Sequence, residues 1–152
     1  MIRIRTGEAK DRDYVDDLGR RTLRDNVAAF RTADDDRLEA SYAEMVDFAF
    51  ATGSVLLIAD RESRPVGFVL MLDKMPDEVT RTPQGFIAYM AVEPSARRQG
   101  VASLLLGAAE EEARRRALPC MGLMVTEDNA AARALYERAG YRTERRLLCK
   151  AL

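Results

Sequence analysis

The chain has 152 residues, a net charge of −1, 47% apolar and 32% charged residues, and a length that matches one domain. Such a chain buries roughly 70% of its unfolded surface, and the composition excludes intrinsic disorder. Near-neutral charge argues against a general nucleic-acid binder, and no apolar run reaches the ~18 residues of a membrane span.

Ile2 to Arg5 alternates apolar and basic residues and predicts a short strand. Asp11 to Arg21 reads as a helix, with Val15, Leu18 and Thr22 at helical spacing. Asp25 to Thr32 reads as irregular. Asp34, Asp35 and Asp36 then open a second helix, where carboxylates suit the positive end of the macrodipole. Its apolar stripe is Leu38, Tyr42, Met45 and Ala49, and Gly53 ends it. Val55–Ala59 and Pro65–Leu72 flank the polar turn Arg61-Glu62-Ser63-Arg64 and predict an antiparallel hairpin. Residues 73–85 read as a loop. Phe86 to Val92 is a strand stopped by Pro94. Gly100 to Ala117 is a helix whose apolar face is Val101, Leu104, Leu105 and Ala108, with its Glu and Arg residues meeting at i,i+4 on a solvated face. Cys120–Val125 is a strand, Ala130–Ala139 a helix closed by Gly140, and Tyr141–Leu152 a last strand or pair of strands. The order β-α-α-β-β-β-α-β-α-β predicts a single α/β domain over residues 1–152, with a mixed sheet. The unit from Phe86 to Val125 is expected to be a right-handed parallel crossover.

Two absences narrow the chemistry. The chain has no His, so imidazole cannot serve as base or shuttle. Its two cysteines, Cys120 and Cys149, form no zinc pattern. Both sit in apolar stretches and are expected to pack in the core. No basic-then-apolar leader opens the chain, and the expected location is the cytoplasm. Charge is unevenly spread: residues 1–80 carry 12 basic and 17 acidic groups, residues 81–152 carry 12 basic and 8 acidic. The second half could therefore favour a polyanion and the first a cation; chance segregation on solvated helices is the alternative.

The stretch that carries chemistry is Met90-Ala91-Val92-Glu93-Pro94-Ser95-Ala96-Arg97-Arg98-Gln99-Gly100-Val101-Ala102-Ser103. A strand ends, the chain turns through basic residues, and a helix starts at a glycine. The helix start offers unpaired N–H groups and the positive dipole end. Small residues at Gly100, Ala102 and Ser103 let a bulky anion approach the backbone, and Arg97 and Arg98 add charge from the side. This suits a pyrophosphate; an ordinary strand–helix turn is the alternative. The P-loop string is absent, and the dinucleotide fingerprint lacks two of its three glycines.

The chain resembles the GNAT superfamily of N-acetyltransferases. The family signature Arg/Gln-x-x-Gly-x-Gly/Ala is matched by Arg97-Arg98-Gln99-Gly100-Val101-Ala102, preceded by Met90 and Val92. A second element, Asn-x-x-Ala-x-x-Leu-Tyr-x-x-x-Gly-Phe, is matched by Asn129, Ala132, Leu135, Tyr136 and Gly140, with Tyr141 in place of Phe. The resemblance covers residues 55–152. It implies that the strands at 86–92 and 119–125 run parallel and splay apart, with helices on both faces of the sheet. It also implies that acetyl-CoA, as cosubstrate, inserts its thioester arm into the gap beside Met90 and Val92. The pyrophosphate would then lie on the amides of Arg98, Gln99, Gly100, Val101, Ala102 and Ser103, with Arg97 beside it and Asn129 near the pantetheine.

In such enzymes an amine attacks the thioester directly, helped by positioning and by a backbone N–H at the oxyanion, here that of Val92. Tyr136 is the candidate general acid for the leaving thiolate. The base is open: the central strand carries no carboxylate, Tyr89 is its only titratable side chain, and Glu93 lies just past it. The acceptor is a small-molecule amine or a peptide or protein amine; Tyr14, Phe30, Tyr42 and residues 73–84 are candidate contacts. No metal, nucleic acid or membrane is implied, and a homodimer is allowed. The alternative function is a non-catalytic acyl-CoA-binding or sensing module.

Overall fold

The computed structural model describes residues 1–152. Five strands lie side by side in chain order: β1 (Ile2–Thr6), β2 (Val55–Arg61), β3 (Arg64–Leu72), β4 (Gly85–Val92) and β5 (Met121–Leu123). The first three pairings are antiparallel, and β4–β5 is parallel. The β2–β3 hairpin turns on Glu62 and Ser63, at φ 49° and 63°. Two consecutive left-handed residues give the turn a twist that matches the flanking strands, here without glycine.

The apolar runs in β2 and β3 are explained by helices on both faces of the sheet. On one side α1 (Arg12–Thr22) and α2 (Asp35–Ala51) bring Val15, Leu18 and Val46 against Ile58, Phe68 and Leu70. On the other side α3 (Val101–Arg115) brings Val101, Leu105 and Leu106 against Leu57, Val69 and Met71. The period-two side-chain alternation of a strand divides β3 between these two cores. Asp34 caps α2, its carboxylate accepting the Arg37 N–H at 2.8 Å. A shorter helix, α4 (Ala130–Arg138), follows β5. No helix is long and apolar enough to cross a membrane.

The α1–α2 pair is locked by a buried hydroxyl. Tyr42 is 4% exposed and its hydroxyl donates to the Val15 carbonyl at 2.7 Å. A Cβ on Gly19 would collide with that phenol, which also packs edge-on to Tyr89 at 4.9 Å. Gly19→Val is expected to cost about 1–3 kcal/mol through overpacking, read as a lower midpoint in urea at unchanged slope.

The feature that positions the site is the divergence of β4 from β5. Their ladder has three rungs, Gly85–Met121, Phe86–Gly122 and Ile87–Leu123, and then stops. At that level β4 also slips against β3: Met71 faces Ile87 and Leu70 faces Tyr89, leaving Ala88 as the extra residue. Such a bulge bends its strand and sharpens the local twist. The bend carries the last residues of β4 away from β5, which is the splay the resemblance implies.

Four local expectations are corrected. On α3 the buried stripe is Val101, Leu105, Leu106, Ala109 and Ala113, while Leu104 is 48% exposed. The stripe follows i,i+4 spacing, and Leu104 sits roughly 100° around the helix from Leu105. On α2 the buried position is Val46 rather than Met45. Tyr141–Leu152 forms no strand, and Leu147, Leu148 and Leu152 are exposed. A strand needs a partner ladder. Here β5 offers three residues, and Arg145 is drawn instead to the buried carboxylate of Asp77 in the β3–β4 loop. Asp77 also accepts from the Thr80 N–H and hydroxyl, and with Arg145 these hold its carboxyl below the usual range. Cys120 and Cys149 are both exposed and unbridged. Cys120 lies in the turn before β5, and Cys149 in the segment that has no ladder to bury it.

Candidate active site

The site starts from the hydrogen-bond alternation of β4. The Glu93 N–H donates to the Val66 carbonyl of the neighbouring antiparallel chain at 2.9 Å. Alternate residues point their backbone groups to opposite sides, so Val92 and Met90 direct theirs away from β3. On that side β5 has already ended. The outcome is a polar backbone edge facing a gap, with no strand to satisfy it. The Val92 carbonyl is met by the Arg97 Nε at 3.2 Å.

The turn after β4 supplies a second set of free donors. Pro94–Ala96 makes one turn of 3₁₀ helix, then Arg98 and Gly100 take φ 60° and 81°. Gly100 caps α3 with no side-chain bond, and the first helical bond is Leu104 N–H to the Gly100 carbonyl at 3.0 Å. The N–H groups of Val101, Ala102 and Ser103 therefore lack helical partners. A Cβ at Gly100 would meet nothing within 4 Å, so the space before the helix is open. Arg98 has no carboxylate partner, while Gln99 spends its amide on Arg61 at 2.6 Å and Ser95 at 3.0 Å. Only the backbone of Gln99 is thus available to a ligand.

Across the gap, Asn129 caps α4, its Oδ1 accepting the Ala132 N–H at 3.1 Å. Tyr136 on α4 packs against the α3-side core together with Met90 and Leu123, and edge-on to Tyr141 at 5.8 Å. Burial raises its pKa, which keeps the phenol protonated. Thus Met90, Val92 and the 97–103 turn are contiguous at the end of β4. Asn129 faces them through its bond to the Asp25 carbonyl, and Tyr136 stands about two turns further along α4.

The carboxylate and tyrosine alternatives for a base are engaged elsewhere. Glu93 forms a two-pronged pair with Arg21 on α1, at 2.8 and 3.1 Å. The Tyr89 hydroxyl lies 3.0 Å from Thr22 Oγ1 and 3.1 Å from Asn26 Nδ2, and burial raises its pKa. Among the acceptor candidates, Tyr42 is core, the Tyr14 hydroxyl is buried without a partner, and Phe30 is 62% exposed between α1 and α2.

Sequence reasoning missed the segment from Asp25 to Ala29, which crosses the gap. Thr126 donates to the Asn26 carbonyl at 2.7 Å, Asn129 to the Asp25 carbonyl at 3.3 Å, and the Ala29 N–H to Asp128 at 2.8 Å. The signals available for it were Asp25-Asn26 and Asp128-Asn129, pairs of turn-forming residues. A pocket of about 700 Å³ lies at the other end of β5, between Arg114, Leu118, Cys120 and Tyr141. It lies at the end of β5 away from the Met90–Val92 edge, so the backbone geometry, rather than cavity size, marks the site.

Comparison with known proteins bears on the family and the fold. The sequence profile of the Acetyltransferase (GNAT) family matches residues 20–141. The N-acetyltransferase YhfO of Bacillus subtilis, itself uncharacterized, is 31% identical over 88 residues, and the chain spans 58% of that relative's length. A Pyrococcus furiosus protein described as an acetyl transferase superposes over the whole of both chains with a TM-score of 0.84 and 25% identity. A Clostridium acetobutylicum protein described as an acetyltransferase and solved with acetyl-CoA shares the fold at a TM-score of 0.68. Its identity is 21%, with 99% of this chain and 96% of that one covered.

Proposed function

The chain belongs to the Acetyltransferase (GNAT) family, and we propose that it is an N-acetyltransferase that moves the acetyl group of acetyl-CoA to an amine by direct attack. One observation carries this reading. A backbone edge with no partner strand, Met90–Val92, and an uncapped helix start, Val101–Ser103, border the same opening between two diverging parallel strands. The first suits the amide-bearing arm of the cofactor and the second its pyrophosphate. Arg98 is the free cation beside that helix start. Gln99, Gly100 and Ala102 contribute backbone and space, and Asn129 borders the pantetheine path.

The residues account for the chemistry as follows. The acceptor's nitrogen lone pair attacks the thioester carbon, and the carbon–sulfur bond breaks. Negative charge develops on the carbonyl oxygen, where the Val92 N–H is the assigned donor. The thiolate leaves and takes a hydrogen bond or a proton from Tyr136, while the amine's proton passes to solvent, from which Tyr136 recovers any proton it gave. Holding the two reactants together supplies much of the acceleration. The acceptor is a small-molecule amine or a peptide or protein amine. The short open edge of β5 and the exposed Leu147, Leu148 and Leu152 support self-association into a homodimer.

Acetyl-CoA is expected to bind with an affinity that falls as salt rises, measured by calorimetry at several ionic strengths. An affinity independent of salt would remove the phosphate cradle from the account. With no histidine and with Glu93 bound to Arg21, no fixed base is assigned. The acceptor must then arrive neutral, so kcat/KM rises with pH and levels off near the acceptor's own pKa, about 7.7–8.0 for an α-amine and about 10.4 for a lysine-like amine. Glu93→Gln should leave the profile in place. An inflection that stays fixed for both amines and disappears in Glu93→Gln would make Glu93 the base.

A further inference from the structure

The segment from Asp25 to Ala29 is bound on both sides of the gap. From the β4 side, Asn26 Nδ2 donates to the Tyr89 hydroxyl at 3.1 Å, and Arg97 reaches the Asp25 carboxylate at 3.4 Å. From the β5 side come the bonds of Thr126, Asp128 and Asn129. Two of these partners, Arg97 and Asn129, are also residues assigned to the cofactor. One guanidinium spans the Val92 carbonyl and the Asp25 carboxylate, while the Asn129 amide nitrogen holds the Asp25 carbonyl. Asp25 therefore occupies, through both its side chain and its backbone, the groups that a bound acyl-CoA needs.

We propose that Asp25 is a positioning residue of the acyl-CoA site: it latches segment 25–29 across the gap, and loading of the cofactor releases the latch. The proposal rests on the acyl-CoA reading above. A phosphate is a stronger partner for Arg97 than one carboxylate oxygen at 3.4 Å. The thioester arm needs the Val92 edge that Arg97 now covers. When Arg97 swings to the phosphate and Asn129 to the pantetheine, Asp25 loses both contacts. Segment 25–29 then stays tied to β4 through Asn26 and keeps only the Thr126 and Asp128 bonds toward β5, so that side is held more weakly.

The Asp25 and Arg97 side chains are 55% and 46% exposed, and exposed pairs contribute little, so the effect of breaking this one is modest and opposite in sign to that of an ordinary site mutation. Asp25→Asn is expected to bind acetyl-CoA about two- to fivefold more tightly than the wild type in calorimetry. Asp36→Asn, an equal charge change at the start of α2, is expected to leave affinity unchanged. In the wild type, the amide of Ala29 is expected to exchange with solvent faster once acetyl-CoA is added, followed by NMR hydrogen exchange. Binding by Asp25→Asn that is unchanged or weaker would overturn the latch. Equal tightening by Asp36→Asn, or Ala29 protection that is unchanged or increased on loading, would overturn it as well. A wild type that binds no acetyl-CoA at all would instead remove the acyl-CoA reading, and the latch with it.

Discussion

Tyr136→Phe is expected to lower kcat by about 10²–10⁴-fold, the range a positioned proton donor contributes, and to leave the KM for acetyl-CoA nearly unchanged. The substitution removes one oxygen and keeps the ring. That ring rests on the α3-side core and edge-on to Tyr141, so the packing of α4 survives. The Tyr136 hydroxyl takes no protein partner, which leaves its proton free for a ligand. A free thiol has a pKa near 8.5 and a free phenol near 10, so complete transfer to the thiolate is uphill by about 2 kcal/mol, and burial of Tyr136 adds to that cost. A hydrogen bond that shortens as charge builds on sulfur avoids the full transfer. The contrast in kcat and KM is the diagnostic, because loss of packing would move both. An unchanged kcat, with the chemical step shown to limit turnover, would make Tyr136 a core residue only.

Gly100→Val is expected to weaken acetyl-CoA binding by tenfold or more, about 1.4 kcal/mol or greater. Two effects combine. Gly100 sits at φ 81°, where an L-residue costs roughly 1–2 kcal/mol and a branched one is most strained. Its missing Cβ also faces open space rather than protein, so a valine there fills the approach to the Val101–Ser103 amides. Gly53 separates the two effects. It lies past the end of α2 at φ 66°, and a Cβ there also meets nothing within 4 Å. Gly53→Val should lower thermal stability comparably and leave acetyl-CoA affinity intact. Calorimetry and melting curves on both variants check this. Wild-type affinity in Gly100→Val would discard the cradle.

The parts of the molecule that were legible in the sequence are those whose cause is local. Pro94 and Gly100 bracket a turn because one cannot continue the strand and the other alone takes the left-handed cap without strain. The hairpin at Glu62-Ser63 and the three aspartates opening α2 are likewise set by neighbours in the chain. The resemblance through Arg97–Ala102 and Asn129–Tyr141 then supplied the splay, which no local pattern announced. The bulge at Ala88 comes from the register of β4 on β3, and neither strand shows it alone.

Contacts between distant stretches were not legible. Thr126 reaches Asn26 across 100 positions and Asn129 reaches Asp25 across 104. The segment at 25–29 read only as irregular because its order is supplied by the opposite wall. Glu93 illustrates the same limit: as a carboxylate just past the central strand it was a candidate base, and only the fold shows it answering Arg21, 72 positions away. The last residues failed in the other direction. Tyr141–Leu152 read as a last strand or pair of strands, but strand formation depends on a partner, and Asp77 takes Arg145 to the β3–β4 loop instead.

The central claim is acyl transfer, and release of free coenzyme A thiol tests it most directly. Purified protein is given acetyl-CoA with each of a panel of amines (small-molecule, peptide N-terminal and lysine-like) while thiol is followed over time. The account predicts thiol release that depends on an amine, matches acetylated product one for one, and drops by about 10²–10⁴-fold in Tyr136→Phe. Tight binding of acetyl-CoA with no amine-dependent thiol release from any acceptor class would contradict it and leave an acyl-CoA-binding module in place of an enzyme.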